Sequence, residues 1–150
     1  MDCVVHTDAN SGDVVTFYPT EMFGSYSRLW KQLPSPPFPR NGSLLAILGR
    51  LLYSFGGLDP YTHIYTRTVR RLNLVERSTW KNRSPMLHPS TDQGSLTHSG
   101  KFYVFGGYQE TAVLHITQVL NAVDCYCPLS DEWHNMPPML QCRKDPQGVV

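Results

Sequence analysis

The chain has 150 residues, 41% hydrophobic and 11% aromatic, with 13 Lys+Arg against 12 Asp+Glu and a formal net charge of +1. A charge this close to zero gives no field for a nucleic acid or an anionic membrane surface. No run of 18 apolar residues occurs, and Met1-Asp2-Cys3-Val4-Val5-His6 has neither the basic head nor the apolar core of a secretion signal, so the chain reads as cytoplasmic or nuclear.

In chain order, the first third opens with residues 13–19 as one strand and residues 28–33, carrying Trp30, as the next. Strand-like runs follow at about 44–48, 51–56, 68–75, 79–82, 102–106, 118–126 and 132–135, separated by Gly, Pro, Asp and Ser clusters that supply turns. Residues 91–98 take the place of a further strand but are unusually polar for one. No helical period of useful length appears; residues 117–123 have a local helical look, yet they occupy the slot of residues 68–74 one repeat earlier, which favours strand.

Gly56-Gly57 and Gly106-Gly107 lie 50 residues apart, each closing an apolar run (residues 51–55 and 101–105), and Trp30, Trp80 and Trp133 follow at steps of 50 and 53, each with Pro shortly after it. Two markers keeping one step of about 50 residues define a repeated unit of short strands, the signature of radial β-sheets. The Gly pairs supply backbone freedom without side chains where the second strand leaves the crowded centre. Tyr53 and Tyr103 on the second strand, and Trp80 and Trp133 on the fourth, have the size to fill the space between neighbouring sheets.

Without a secretion signal, Cys3, Cys125, Cys127 and Cys142 read as free thiols, and Asn41-Gly42-Ser43 and Asn82-Arg83-Ser84 carry no glycan. Cys125 and Cys127 share one strand face, and a metal site with His115, His134 and Cys142 is the lesser reading. The expectation is no metal and no cofactor. The basic run Arg67-Thr68-Val69-Arg70-Arg71 reads as a solvated strand edge. The six histidines are scattered, and no nucleophile elbow or phosphate loop is present, so no catalytic residue is assigned.

The chain resembles the kelch repeat. The resemblance rests on Pro36 and Arg40 at the ends of a Pro-x-x-Pro-Arg-like segment, Gly49 through Gly57 and Gly100 through Gly107 around Tyr53, Phe55, Tyr103 and Phe105, then Asp124, Trp80, Trp133, Pro85-Met86 and Pro138-Met139. It departs at His88-Pro89-Ser90, where the family's Arg usually stands, and at Leu72-Asn73, which replaces Tyr-Asp. The implied fold is all-β, a partial β-propeller of four-stranded antiparallel blades with two complete blades and flanking partial ones: residues 1–34 the rear of an upstream blade, 35–85 a complete blade, 86–138 a complete but divergent blade, and 139–150 the start of another.

Propellers need about four to eight blades, so the expectation is a partial sequence of a longer protein, with a composite propeller formed by self-association through open blade edges as the lesser reading. The resemblance implies a non-enzymatic protein-binding module, with substrate recognition for a cullin-RING ubiquitin ligase by family analogy. Its alternatives are an actin-associated scaffold or part of an oxidase or sugar isomerase. The partner-binding residues it implies lie on loops of one face: Arg40 and Ser43, Tyr61, His88 and Ser90, Tyr108, and Arg143.

Overall fold

A computed structural model describes residues 3–6, 9–10, 16–17, 20–24, 27–38, 40–76, 79–110 and 116–149. Two four-stranded antiparallel sheets dominate. The first runs β6 (Leu44–Leu48), β7 (Leu51–Phe55), β8 (Val69–Asn73), β9 (Lys81–Arg83), and the second β10 (Gly94–His98), β11 (Lys101–Phe105), β14 (Val123–Cys127), β15 (Glu132–Met136), each in sequence order from inside out. Ahead of them β1 (Cys3–His6), β4 (Glu21–Gly24) and β5 (Leu29–Gln32) form a three-stranded sheet. Two small ribbons sit in the loops, β2 (Ala9–Asn10) with β3 (Thr16–Phe17) and β12 (Tyr108–Glu110) with β13 (Thr117–Val119). The described residues are all-β, and the architecture is two complete blades of a propeller beside a partial one.

The strand expectations are corrected in two places. The third strand of the second blade is Val123–Cys127 alone; residues 117–119 pair instead with Tyr108–Glu110 as a separate ribbon. Position in the repeat misled because the loop after Gly107 is longer than the one after Gly57, so the slot shifts by four residues. In the three-stranded sheet the strand before Trp30 is Glu21–Gly24, paired Phe23 to Trp30, while Thr16–Phe17 belongs to a ribbon; residues 13–15 and 18–19 lie outside the described residues.

Strand alternation sends one set of side chains to each side of a blade. On the first blade, Leu52 and Leu72 face back to Met22 and Leu33 of the partial sheet, with Trp80 packed beside them. Tyr53, Phe55 and Val69 face forward to Phe102, Val104 and Tyr126 of the second blade. Phe55 meets Phe102 at 5.4 Å and Trp133 at 5.9 Å, both edge-on. Burying each of these large side chains contributes roughly 1.5–3 kcal/mol, so the inter-blade packing outweighs any single hydrogen bond there. Tyr103 does not join it: it stands on the far side of the second blade, half-buried, because no further complete blade covers that side.

The same polar bond recurs at each packed junction. Trp80 Nε1 donates to the Pro34 carbonyl at 2.7 Å, and Trp133 Nε1 donates to the Ser84 carbonyl at 3.0 Å. In both cases the acceptor stands four residues after the Trp of the preceding sheet. A backbone bond also ties the segment after each Trp to its own sheet: Leu33 N–H to Thr20 O (2.8 Å), Met86 N–H to Arg67 O (2.9 Å) and Met139 N–H to Asn121 O (2.8 Å). Asp131, in the turn after β14, adds a second clamp by accepting from the Ser84 N–H at 3.1 Å and the Tyr126 hydroxyl, with Arg83 at 3.7 Å. Burial pushes the Tyr126 phenol up, and its bond to the Asp131 carboxylate pushes it further.

The Arg67 to Arg71 run is not a solvated edge. β8 is flanked by β7 and β9, and Arg70 is only 7% exposed, its Nη1 bonded to the Phe38 carbonyl at 3.1 Å. Replacing Trp133 by Phe keeps the ring stack and removes the bond to Ser84; a loss of about 1–2 kcal/mol is expected in urea unfolding. An unchanged midpoint would show that the indole N–H contributes nothing to the junction.

Candidate functional site

The loops after the second strands and the segments joining one blade to the next gather at one end of the blades. The Gly pairs create this end. Gly56 and Gly57 have φ of +60° and +96°, and Gly106 and Gly107 of +65° and +85°. A Cβ on Gly57 would lie 2.7 Å from Ser43 Oγ and 2.8 Å from Arg40 Cβ, and one on Gly107 2.5 Å from the Thr91 carbonyl. Both the positive φ and the close approach exclude a side chain. The following junction then bonds directly to the pair, Gly57 N–H to Ser90 O at 2.9 Å and Gly107 N–H to Arg143 O at 2.8 Å. Thus Ser90 and Arg143 are seated against the Gly pairs by backbone, whatever side chain each carries.

The side chains differ in what they do. Arg40 Nη1 pairs with Asp59 Oδ2 at 2.7 Å, and Asp59 Oδ1 accepts from the N–H groups of Tyr61 (2.9 Å) and Thr62 (3.2 Å). The two backbone donors first, and the Arg40 guanidinium after them, hold the Asp59 carboxyl below its ordinary range. This fixes the 58–65 loop and projects Tyr61, 69% exposed, next to exposed Ile64. Ser43 sits over Gly57, with its hydroxyl 3.5 Å from the carbonyls of Arg40 and Gly56.

Ser90 turns inward. It is 2% exposed, and both its hydroxyl and its carbonyl accept from Gln93 Nε2, at 2.7 and 3.0 Å. His88 is half-buried and acts electrostatically on Asp124, whose carboxyl burial pushes up while His88 pulls it down. Tyr108 packs edge-on against Tyr65 at 5.9 Å and carries the Lys144 ammonium over its ring at 4.6 Å. Lys144 in turn pairs with Asp92 at 3.3 Å. Arg143 is exposed and donates to Gln141 Oε1 at 3.3 Å.

Of the residues expected from sequence, Arg40, Ser43 and Tyr61 are brought to one loop of the first blade, and Tyr108 and Arg143 to the neighbouring one. Asp59, Tyr65 and Lys144 were missed. Asp59 was detectable, since an Asp two residues before Tyr61 in a Gly-Gly-Leu-Asp-Pro loop is a turn-forming acceptor. Tyr65 and Lys144 were not, because only folding puts them beside Tyr108. The described residues hold no group of three or more His, Cys, Asp or Glu arranged for a metal ion; Cys125 opposes His134 across β14 and β15, and His115 lies outside the described residues. Among the described residues no helix is long and apolar enough to cross a membrane.

A family model described as Kelch motif matches residues 89–140. The chain is similar to kelch-repeat proteins. It is 26% identical over 133 residues, 79% of its length, to Kelch-like protein 15 of Danio rerio, and 25% identical over 107 residues to Kelch repeat and BTB domain-containing protein 1 of Cowpox virus. It is 23% identical over 140 residues to Beta-scruin of Limulus polyphemus. It spans 22%, 17% and 15% of those three proteins. The solved structure of YjhT superposes with a TM-score of 0.66 at 23% identity, over 79% of this chain and 33% of that one, a likeness of fold.

The order of the Asp59 contacts gives a titration prediction. Its depressed carboxyl contributes stability that is present above the ordinary carboxylate range and is lost as pH falls through the lowered folded value. Arg40→Ala should move the Asp59 titration, followed by carboxyl NMR, upward but not to the value of an isolated aspartate, because both backbone donors remain. A full return to that value would show that Arg40 carries the turn.

Proposed function

We propose that the chain is a non-enzymatic protein-interaction module that engages its partner through the loop face, acting inside the cell. The carrying observation is the Tyr61 loop: an exposed aromatic and Ile64 are held on a loop that Asp59 pins from beneath, so little ordering entropy opposes contact. Tyr108 and Arg143 extend the same face, supplying a phenol and a guanidinium for polar and acidic groups. Arg40 belongs to this reading as the buttress of the loop, Ser43 and Ser90 as packing beneath the face, and His88 as its half-buried margin. The kelch-like and BTB-containing relatives support the interaction role, and by the same analogy the partner is a protein presented to a cullin-RING ubiquitin ligase.

The test compares proteins captured from a cell lysate by the wild-type chain and by Tyr61→Ala/Ile64→Ala, quantified by mass spectrometry. Selective loss of the captured set, by tenfold or more, is expected with the melting temperature unchanged. Equal capture by both proteins, each with an intact melt, would sink the loop-face reading.

A further inference from the structure

We propose that the junction between the partial sheet and the first blade holds a binding site for a single carboxylate group, with Arg70 as its anchor and Phe38 as its exposed cover. The observation is a buried cation without a counter-charge. Arg70 alternates with Val69 on β8 and so lies on the same side as Leu72, facing the partial sheet, and it is only 7% exposed. A guanidinium carries five N–H donors and a permanent charge. Among the described residues, Nη1 donates to the Phe38 carbonyl at 3.1 Å, whereas Nε is buried and bonds to nothing. No carboxylate among the described residues pairs with it. Burial first, and the Arg40 charge after it, push the guanidinium below its ordinary value.

Two guanidiniums crowd one ring. The Phe38 centroid lies 5.6 Å from Arg70 Cζ and 6.0 Å from Arg40 Cζ. Arg40 has its carboxylate in Asp59, so of these three charges one positive remains, and it is the buried one. An uncompensated buried charge is costly, and an aromatic face offsets only part of it. A carboxylate would balance the charge and accept from the guanidinium in paired geometry. The balance also selects a monoanion, since a phosphomonoester carries up to two negative charges and would meet Asp59.

The second blade shows the same slot filled from within. Val69 pairs with Phe55 as Val123 pairs with Phe105, so Asp124 is the counterpart of Arg70. Asp124 is equally buried, at 5% exposed, but Asn135 Nδ2 donates to it at 3.4 Å and His88 of the junction segment acts on it with opposite charge. The first junction supplies extra length instead of a partner. Asn41 stands eight residues after Leu33, whereas Thr91 stands five after Met86, although each pair makes the same backbone bonds to its own sheet and to the loop after the Gly pair. The added length carries Phe38, 60% exposed, over the Arg70 guanidinium. The groups that form the site, Phe38, Arg40 and Arg70, all lie well inside the chain.

The test follows the Arg70 Nε–H signal by NMR, assigned by its loss in Arg70→Met, while sodium acetate replaces sodium chloride at fixed ionic strength. A saturable shift with acetate and a rise in melting temperature are expected, neither of them with chloride alone, and Arg70→Met should weaken the acetate effect tenfold or more. If Arg70→Met loses its cooperative melt, Arg70→Lys, which keeps the charge and loses the fork, takes its place with about the same weakening. The amide of N-acetylglutamate is the second probe, with the N-acetylglutamine amide as its neutral control. Saturation at a concentration tenfold below that of acetate would assign the carboxylate to a glutamate of a partner protein; saturation by acetate at the same or a lower concentration would assign it to a free acid. An Arg70 signal that ignores both carboxylates, or that answers chloride equally, would overturn the proposal and leave water as the partner of Nε. Undiminished binding by the folded Arg70 variant would overturn it as well. None of these readouts involves capture through the Tyr61 loop, so this site and the loop-face reading stand or fall separately.

Discussion

Each of the two complete blades is held to the sheet before it by the same contact, a tryptophan that packs into the junction and donates its indole N–H to a carbonyl four residues past the previous tryptophan. The bond by itself contributes about 1 kcal/mol. Its importance is positional: it fixes the distance and rotation at which Tyr53 and Phe55 meet Phe102 and Tyr126. A buried indole N–H left without an acceptor would cost more than the bond gains, so the junction accepts one register and rejects its neighbours.

That register reaches the loop face through the Gly pairs. Because Gly57 and Gly107 have no side chain, the next junction lies against the backbone and bonds to it, and the loops that follow leave from a fixed point. Arg40 and Asp59 build on this. An ion pair at a surface loop adds little stability, but here it orients a turn whose backbone donors point at one carboxylate. The exposed Tyr61 inherits its position from that chain of contacts.

The repeat was legible in the sequence because its markers are residues with extreme demands: glycine where φ is positive and space is absent, tryptophan where a wide gap needs filling. The four-stranded blade followed from turn clusters between strand-like runs at about 44–48, 51–56 and 102–106, where the strands are Leu44–Leu48, Leu51–Phe55 and Lys101–Phe105. The candidate face was partly legible. Arg40, Tyr61 and Tyr108 stand at repeat positions after the junction or the Gly pair, whereas Lys144 reaches Tyr108 only across a fold boundary.

What the sequence determined alone is the unit and its period, since strand, turn and Gly-Gly signals are local and act within a few residues. What only the tertiary structure decided is where each unit begins in space and which side of a blade is covered. Loop length is free to vary without altering local signals, so the third strand of the second blade moved to Val123–Cys127. Burial depends on a neighbour's presence: equivalent positions put Tyr53 in the core and leave Tyr103 half-buried, and bury Arg70 in a strand whose composition alone resembles a surface.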